Sequence, residues 1–245
     1  MSAFSANLNV MMKIIRSASR GLIRDFGELE NLQVRAESAR AFAERAAAKA
    51  ETEIHQSLAE ARPNYGLLSP RREETKGEDP TRRWIFTALS GAENYTHGLP
   101  HFALSIALER KGEIESATIF EPIRGELFMS EKGMGAWAND RRVRVSDRTE
   151  LGEAMIALGT AGAPPRLTGL RCWGAPALDL AFLAAGRFDG YWAKKIAPWD
   201  AAAGTLILRE AGGLFGPVDP NAPSGPVIAA NGELYNRLAK QIQSG

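Results

Sequence analysis

Cysteine is nearly absent from this 245-residue chain. Cys172 stands alone, which excludes an internal disulfide and an all-cysteine metal cage. The residue fits a reducing compartment and reads as a small buried apolar side chain, since no nearby histidine or cationic pair marks it as a nucleophile. Long apolar runs are missing too. None approaches the ~20 residues of a membrane span, and the N-terminus shows no basic-then-apolar signal pattern, so a cytoplasmic protein without a membrane partner is expected. Charge excess is also missing: 30 Lys and Arg against 29 Asp and Glu leave a formal net charge of +1. That balance gives no bulk electrostatic case for direct nucleic-acid binding. The basic pairs Arg71-Arg72, Arg82-Arg83 and Arg141-Arg142 are short and read as solvated loop charges. With 44% hydrophobic residues the chain can bury a large core as one compact unit.

Leu8, Met11, Ile14, Ile15, Leu22, Ile23 and Phe26 recur at helical spacing, which predicts an amphipathic helix over 7–29. Ala36 to Ala61 contains neither Gly nor Pro and is rich in Ala, Glu, Arg and Lys, a strongly helical composition. Phe42, Ala46, Ala50, Ile54 and Leu58 form its expected buried stripe, and Arg62-Pro63 stops it. After Trp84 the pattern becomes an antiparallel meander. Phe102, Leu104, Ile106 and Leu108 alternate, Lys111-Gly112 turns the chain, and strands follow at Ile114–Glu121, Glu126–Ser130 and Val143–Ser146. From about residue 150, strands at Ala154–Leu158, Phe188–Trp192 and Pro226–Ala230 alternate with helices at Ala177–Ala185, Asp200–Ala211 and Glu233–Gln243. Two halves are expected, 1–147 and 148–245, joined as one unit.

The stretch from Trp84 to Phe102 resembles the signature W-I-x-D-P-x-D-G-T-x-N-F of the inositol monophosphatase family. Other blocks match in order: Leu22–Gly27, His101–Ile106, Lys132–Ala136, Ala177–Ala181, Gly186–Tyr191, Pro198–Gly204 and Arg209–Gly213. The resemblance covers nearly the whole chain. It implies a mixed α/β (α+β) fold, the layered αβαβα sandwich of the sugar phosphatases, commonly as a homodimer. It also implies a magnesium-dependent phosphomonoesterase, whose metal ions orient water and neutralise the leaving alkoxide.

The departures fall where that chemistry sits. Thr87 and Ser90 stand in place of the two signature aspartates, and Ala92 in place of the threonine. Ser69-Pro70-Arg71 replaces the family's Gly-Glu-Glu, so Pro70 and Arg71 occupy the glutamate positions. Ala47 aligns with an aspartate of an early loop, and Ala193 with a carboxylate that touches the inositol ring. The segment between Gly159 and Leu170 is shorter than the family's by roughly a helix, against ordinary connections of about 2–6 residues. Of the family's metal ligands, Asp200 alone is retained.

A single carboxylate binds magnesium poorly, so Asp200 is expected to cap the helix it opens. Ser90, Gly91 and Ala92 offer backbone amides that could hold an anion without metal; the other reading makes Ser90 a helix cap. Glu73, Glu74, Glu78 and Glu93 read as a solvated face rather than relocated ligands. His97 and His101 show no orienting carboxylate. The expectation is therefore a catalytically silent member of the family. No cofactor is expected, and it would act by protein contacts or by sensing an anionic metabolite. Its partners would be a second copy, a related subunit, or a transcription or translation component, since a bacterial family member serves transcription. The alternative is a phosphomonoesterase with an unorthodox magnesium site.

Overall fold

The computed structural model describes residues 4–32, 36–159, 167 and 169–243. Helices α1 (Ala6–Leu32) and α2 (Ala36–Ala61) pack as an antiparallel pair over one face of a large sheet. That sheet holds β1 (Tyr65–Ser69), β2 (Arg72–Thr75), β3 (Asp79–Ser90), β4 (Ala103–Arg110), β5 (Glu113–Glu121), β6 (Glu126–Glu131), β7 (Ala136–Ala138) and β8 (Arg141–Val143). Their order is β2-β1-β3-β4-β5-β6-β7-β8, antiparallel except for β1 beside β3. The short helix α3 (Ala92–Thr96) follows β3 directly.

The other sheet combines β9 (Ile156–Leu158), β10 (Leu170–Arg171), β11 (Gly190–Ala193), β12 (Gly213–Pro217) and β13 (Val227–Asn231), ordered β10-β9-β11-β13-β12. Between the sheets lie α4 (Pro176–Ala184) and α5 (Pro198–Glu210), and α6 (Gly232–Gln243) covers the far face of the smaller one. The layers run α/β/α/β/α.

Strand periodicity sorts β4 between two cores. Phe102, Leu104, Ile106 and Leu108 face α1 and α2, while Ala103 and Ala107 face α4 and α5. Successive strand residues point to opposite faces, so the large side chains fill the helical-pair side. The small ones let α5 come close to the sheet. At Gly204 of α5 a Cβ would stand 2.6 Å from that of Leu180, so glycine also sets the α4–α5 approach. At the β4–β5 hairpin, Lys111 (φ 52°) and Gly112 (φ 81°) both take left-handed backbone, the requirement of the two-residue turn that the sequence indicated.

Several sequence expectations need correction. The strand expected at Val143–Ser146 is β8, ending at Val143, because Val145 N–H donates instead to the Ala211 carbonyl. Ile23 of α1 is exposed, being one step off the buried stripe that runs through Leu22 and Leu29. Arg82 and Arg83 are not loop charges but lie on β3, where Arg82 pairs with Asp79 and Arg83 with both Glu74 and Glu109. Cys172 is exposed, not buried. The shortened stretch after Gly159 lies largely outside the described residues.

Candidate functional site

The end of β3 is where the elements converge. Its ladder with β4 shifts register between Thr87 and Ser90, and the chain then turns at Gly91 with φ 96°. A Cβ there would meet the His101 carbonyl oxygen at 2.9 Å, the Ala175 Cβ at 3.0 Å and the Phe102 Cα at 3.2 Å. The close approach that glycine permits is thus taken by the protein itself. Thr87 is buried on the α5 side of the sheet, and its hydroxyl accepts only a long bond, 3.4 Å, from Leu89 N–H.

Ser90 does not cap α3. Gly91 is the N-cap there, without a side-chain bond, and Ala92 is exposed. The Ser90 hydroxyl instead accepts from Ala177 N–H at 3.2 Å, across 87 residues of sequence. Ala175 is the N-cap of α4 and has no side chain able to satisfy the first free amides; Ser90 does so from another element. The same hydroxyl lies near enough to Asp200 to favour that group's charged form.

Asp200 does not cap α5 either. Ala197 is the N-cap, with Pro198 opening the helix, so Asp200 stands in the first turn, where a negative charge suits the helix dipole. Burial pushes its carboxyl above the ordinary carboxylate range, and the Ser90 hydroxyl opposes that push. A raised pKa means that the folded chain holds this proton more tightly than the unfolded one. The contribution is therefore most favourable below the ordinary carboxylate pKa and is lost as pH rises through the folded value. Asp200→Asn is expected to be at least as stable as the parent at pH 7, with the difference vanishing near pH 4. Urea midpoints at both values test this, and a variant weaker than the parent at pH 7 would show the charge to be net favourable.

Around β1 a second brace operates. Glu51 of α2 is buried, and its Oε1 accepts from the Ser69 hydroxyl at 2.7 Å and from Arg71 N–H at 3.1 Å. Its Oε2 lies 3.4 Å from Arg71 Nε. Pro70 is exposed in the turn between. Ala47, one helical turn before Glu51, is buried inside α2, so this position is helix rather than loop. The sequence reading passed over Glu51 as one more charge of an alanine-rich helix. Its spacing from Ala47 and Ile54 puts it on the buried stripe, which was the available signal.

A third feature was also missed. His101 does have an orienting carboxylate: its Nε2 lies 3.2 Å from Asp179 Oδ1, both side chains being buried. Burial raises the Asp179 pKa, against the pull of the His101 bond. Trp173 packs edge-on to the imidazole at 4.6 Å, and Asn94 Nδ2 donates to the carbonyls of both His101 and Trp173. Tyr191 on β11 is fully buried with its phenolic pKa raised by burial, and Ala193 beside it is equally buried. The other acids nearby disperse: Glu74 goes to Arg83 and Glu93 approaches Arg40 at 3.8 Å. Among the described residues, no three His, Cys, Asp or Glu side chains gather as a metal-binding group.

The profile of the inositol monophosphatase family matches residues 3–245. The chain belongs to the inositol monophosphatase family. An inositol-1-monophosphatase of Rhizobium meliloti (strain 1021) is 42% identical, covering 98% of this chain and 97% of the relative. A Nus factor SuhB of Pseudomonas aeruginosa is 32% identical over 96% of this chain and 95% of its own. Among solved structures, the extragenic suppressor protein suhB of Bartonella henselae superposes with a TM-score of 0.87 at 39% identity, covering 98% of this chain and 100% of that one. The layered fold is thus that of the inositol monophosphatases. Within this family framework, Ser90, Asp200 and the α4 N-terminus meet at the end of the signature strand, with the Glu51–Arg71 brace at the end of neighbouring β1.

Proposed function

We propose that this inositol monophosphatase family member does not hydrolyse phosphoesters and works through contacts. The observation that carries this reading is the Ser90 hydroxyl, taken by Ala177 N–H at a position where the resemblance implies a metal-binding aspartate. Magnesium demands a near-octahedral set of hard oxygens. Here the donors are one carboxylate, Asp200, and the hydroxyls of Thr87 and Ser90, the second already taken by Ala177 N–H. Arg71 and Glu51 engage each other, and Ala47, Pro70, Ala92 and Ala193 offer no side-chain oxygen. These residues do not fit the family's magnesium ions, and no catalytic step is derived through them.

In this reading the braces replace what bound ions would otherwise hold together. Residues 1–147 and 148–245 act as one unit, because α5 packs against strands of both sheets. The contacts are with a second copy, a related subunit or a protein of the transcription machinery in the cytoplasm. Relatives named Nus factor SuhB support the last of these. An anionic metabolite held by the amides of Ser90, Gly91 and Ala92 is a further contact of the same kind. The competing reading, a magnesium-dependent phosphomonoesterase, draws on the relatives named inositol-1-monophosphatase.

Phosphate release separates the two. Purified protein incubated with magnesium and inositol monophosphate is expected to release no phosphate above a buffer control. Metal-dependent turnover abolished by Asp200→Ala would sink the silent reading. In the same preparation, inositol phosphate without magnesium tests the amide site. A ligand at ~100 times its dissociation constant adds ~2.7 kcal/mol of stability, so an unmoved melting temperature excludes it.

A further inference from the structure

The large sheet ends in two free edges, and they carry charge differently. At β2 the charges are of mixed sign: Arg72 Nη2 donates to the Thr52 hydroxyl at 2.9 Å, Glu74 meets Arg83 at 2.7 Å, and Glu73 lies between them in sequence. At β8, which pairs only with β7, the exposed side chains are Arg141 and Arg142, with Arg144 just beyond and Arg124 in the turn before β6. None of these four arginines makes an ion pair among the described residues. Arg124 and Arg141 act electrostatically on Glu126, but the Glu126 carboxylate is already held by both Nη atoms of Arg187. Asp140 is the acidic residue of the adjoining turn.

Charged residues on an edge strand often serve to prevent sheet-to-sheet association. Charges of mixed sign achieve that at β2. Arg141, Arg142 and Arg144 at β8, without ion pairs among the described residues in a chain of net charge +1, exceed that need and concentrate positive potential along one open ladder edge. An open edge offers alternating N–H and C=O groups, which an extended polypeptide matches and a nucleic-acid backbone does not. Guanidinium forks, in turn, fit carboxylates bidentately. Because successive strand residues point to opposite faces, an added strand would present its side chains to Arg141 on one face and Arg142 on the other.

We propose that the β8 edge docks an extended acidic segment of a partner protein. The segment adds as a strand beside Arg141–Val143 and sets carboxylates on Arg141, Arg142 and Arg144. This gives the contact role a surface, and it holds whether or not the cleft at Asp200 hydrolyses a phosphoester, since phosphate release reads the cleft alone.

The test uses the full chain and a fluorescein-labelled peptide of alternating glutamate and threonine, followed by anisotropy. Saturable binding is expected that weakens as salt rises. It should fall at least tenfold with Arg141→Glu/Arg142→Glu/Arg144→Glu, and also when alternate threonines of the peptide become proline, which cannot donate to a ladder. Arg141→Gln/Arg144→Gln, with melting temperature checked beside the parent, guards against a folding defect and should give an intermediate loss. The proposal is overturned if no binding appears up to ~1 mM peptide, or if the substitutions leave it unchanged. It is equally overturned if a single-stranded RNA of matching length binds more tightly. Sedimentation showing that the glutamate variant splits a dimer would reassign the edge to a second copy and overturn it too.

Discussion

Glu51→Ala is expected to cost about 3 kcal/mol, because it removes a buried carboxylate that accepts two hydrogen bonds. Ser69 is 4% exposed and would keep a hydroxyl with no partner in reach. Hydrogen bonds to charged groups contribute about 1.5–3 kcal/mol each, and part of that loss is recovered because Arg71, 39% exposed, can turn its side chain to water. For a chain of this size each kcal/mol moves the melting temperature by roughly 2–4 °C, so calorimetry should show a fall of about 6–12 °C. Glu51→Gln keeps an acceptor for Ser69 and should lose only about 1 kcal/mol. If alanine proves as benign as glutamine, α2 and the β1 turn are held together by something other than this carboxylate.

Gly91→Ala is expected to be similarly damaging, for a different reason. Left-handed backbone costs an L-residue about 1–2 kcal/mol, and overpacking adds about 1–3 kcal/mol. The neighbours here are a carbonyl oxygen, a Cα and the Cβ of a buried alanine, none of them a flexible side-chain tip. A loss of about 3 kcal/mol by urea denaturation follows. It should be the same with and without inositol phosphate, since the space is filled by His101 and Ala175. A loss confined to the liganded state would mean that the glycine serves a bound anion instead.

The parts of this molecule that could be read from its sequence are those fixed by near neighbours. Helix α2 follows from composition, and its bounds coincide with Ala36–Ala61. The alternation at Phe102 to Leu108 sets which core each β4 residue enters. Lys111-Gly112 makes its turn by backbone preference alone. The site was legible as a set of replaced residues but not as a set of contacts. Ser90 finds Ala177 at a separation of 87 residues, and His101 finds Asp179 at 78. No local pattern announces such a pairing. Asp200 and Ser90 were both expected to cap the helices they precede, and both are displaced from that role because glycine or alanine holds the cap position. Cys172 misled because small apolar character says little when the residue leaves a two-residue strand on the open side of α4.

The Ser90 hydroxyl, which accepts from Ala177 N–H, holds a place where an added charge would be costly. An aspartate in place of Ser90 would confront Asp200 with a second negative charge, with Arg71 still turned toward Glu51. An acidic residue added here by itself would therefore raise the cost of charging Asp200, and would come at lower cost only if a cation entered with it.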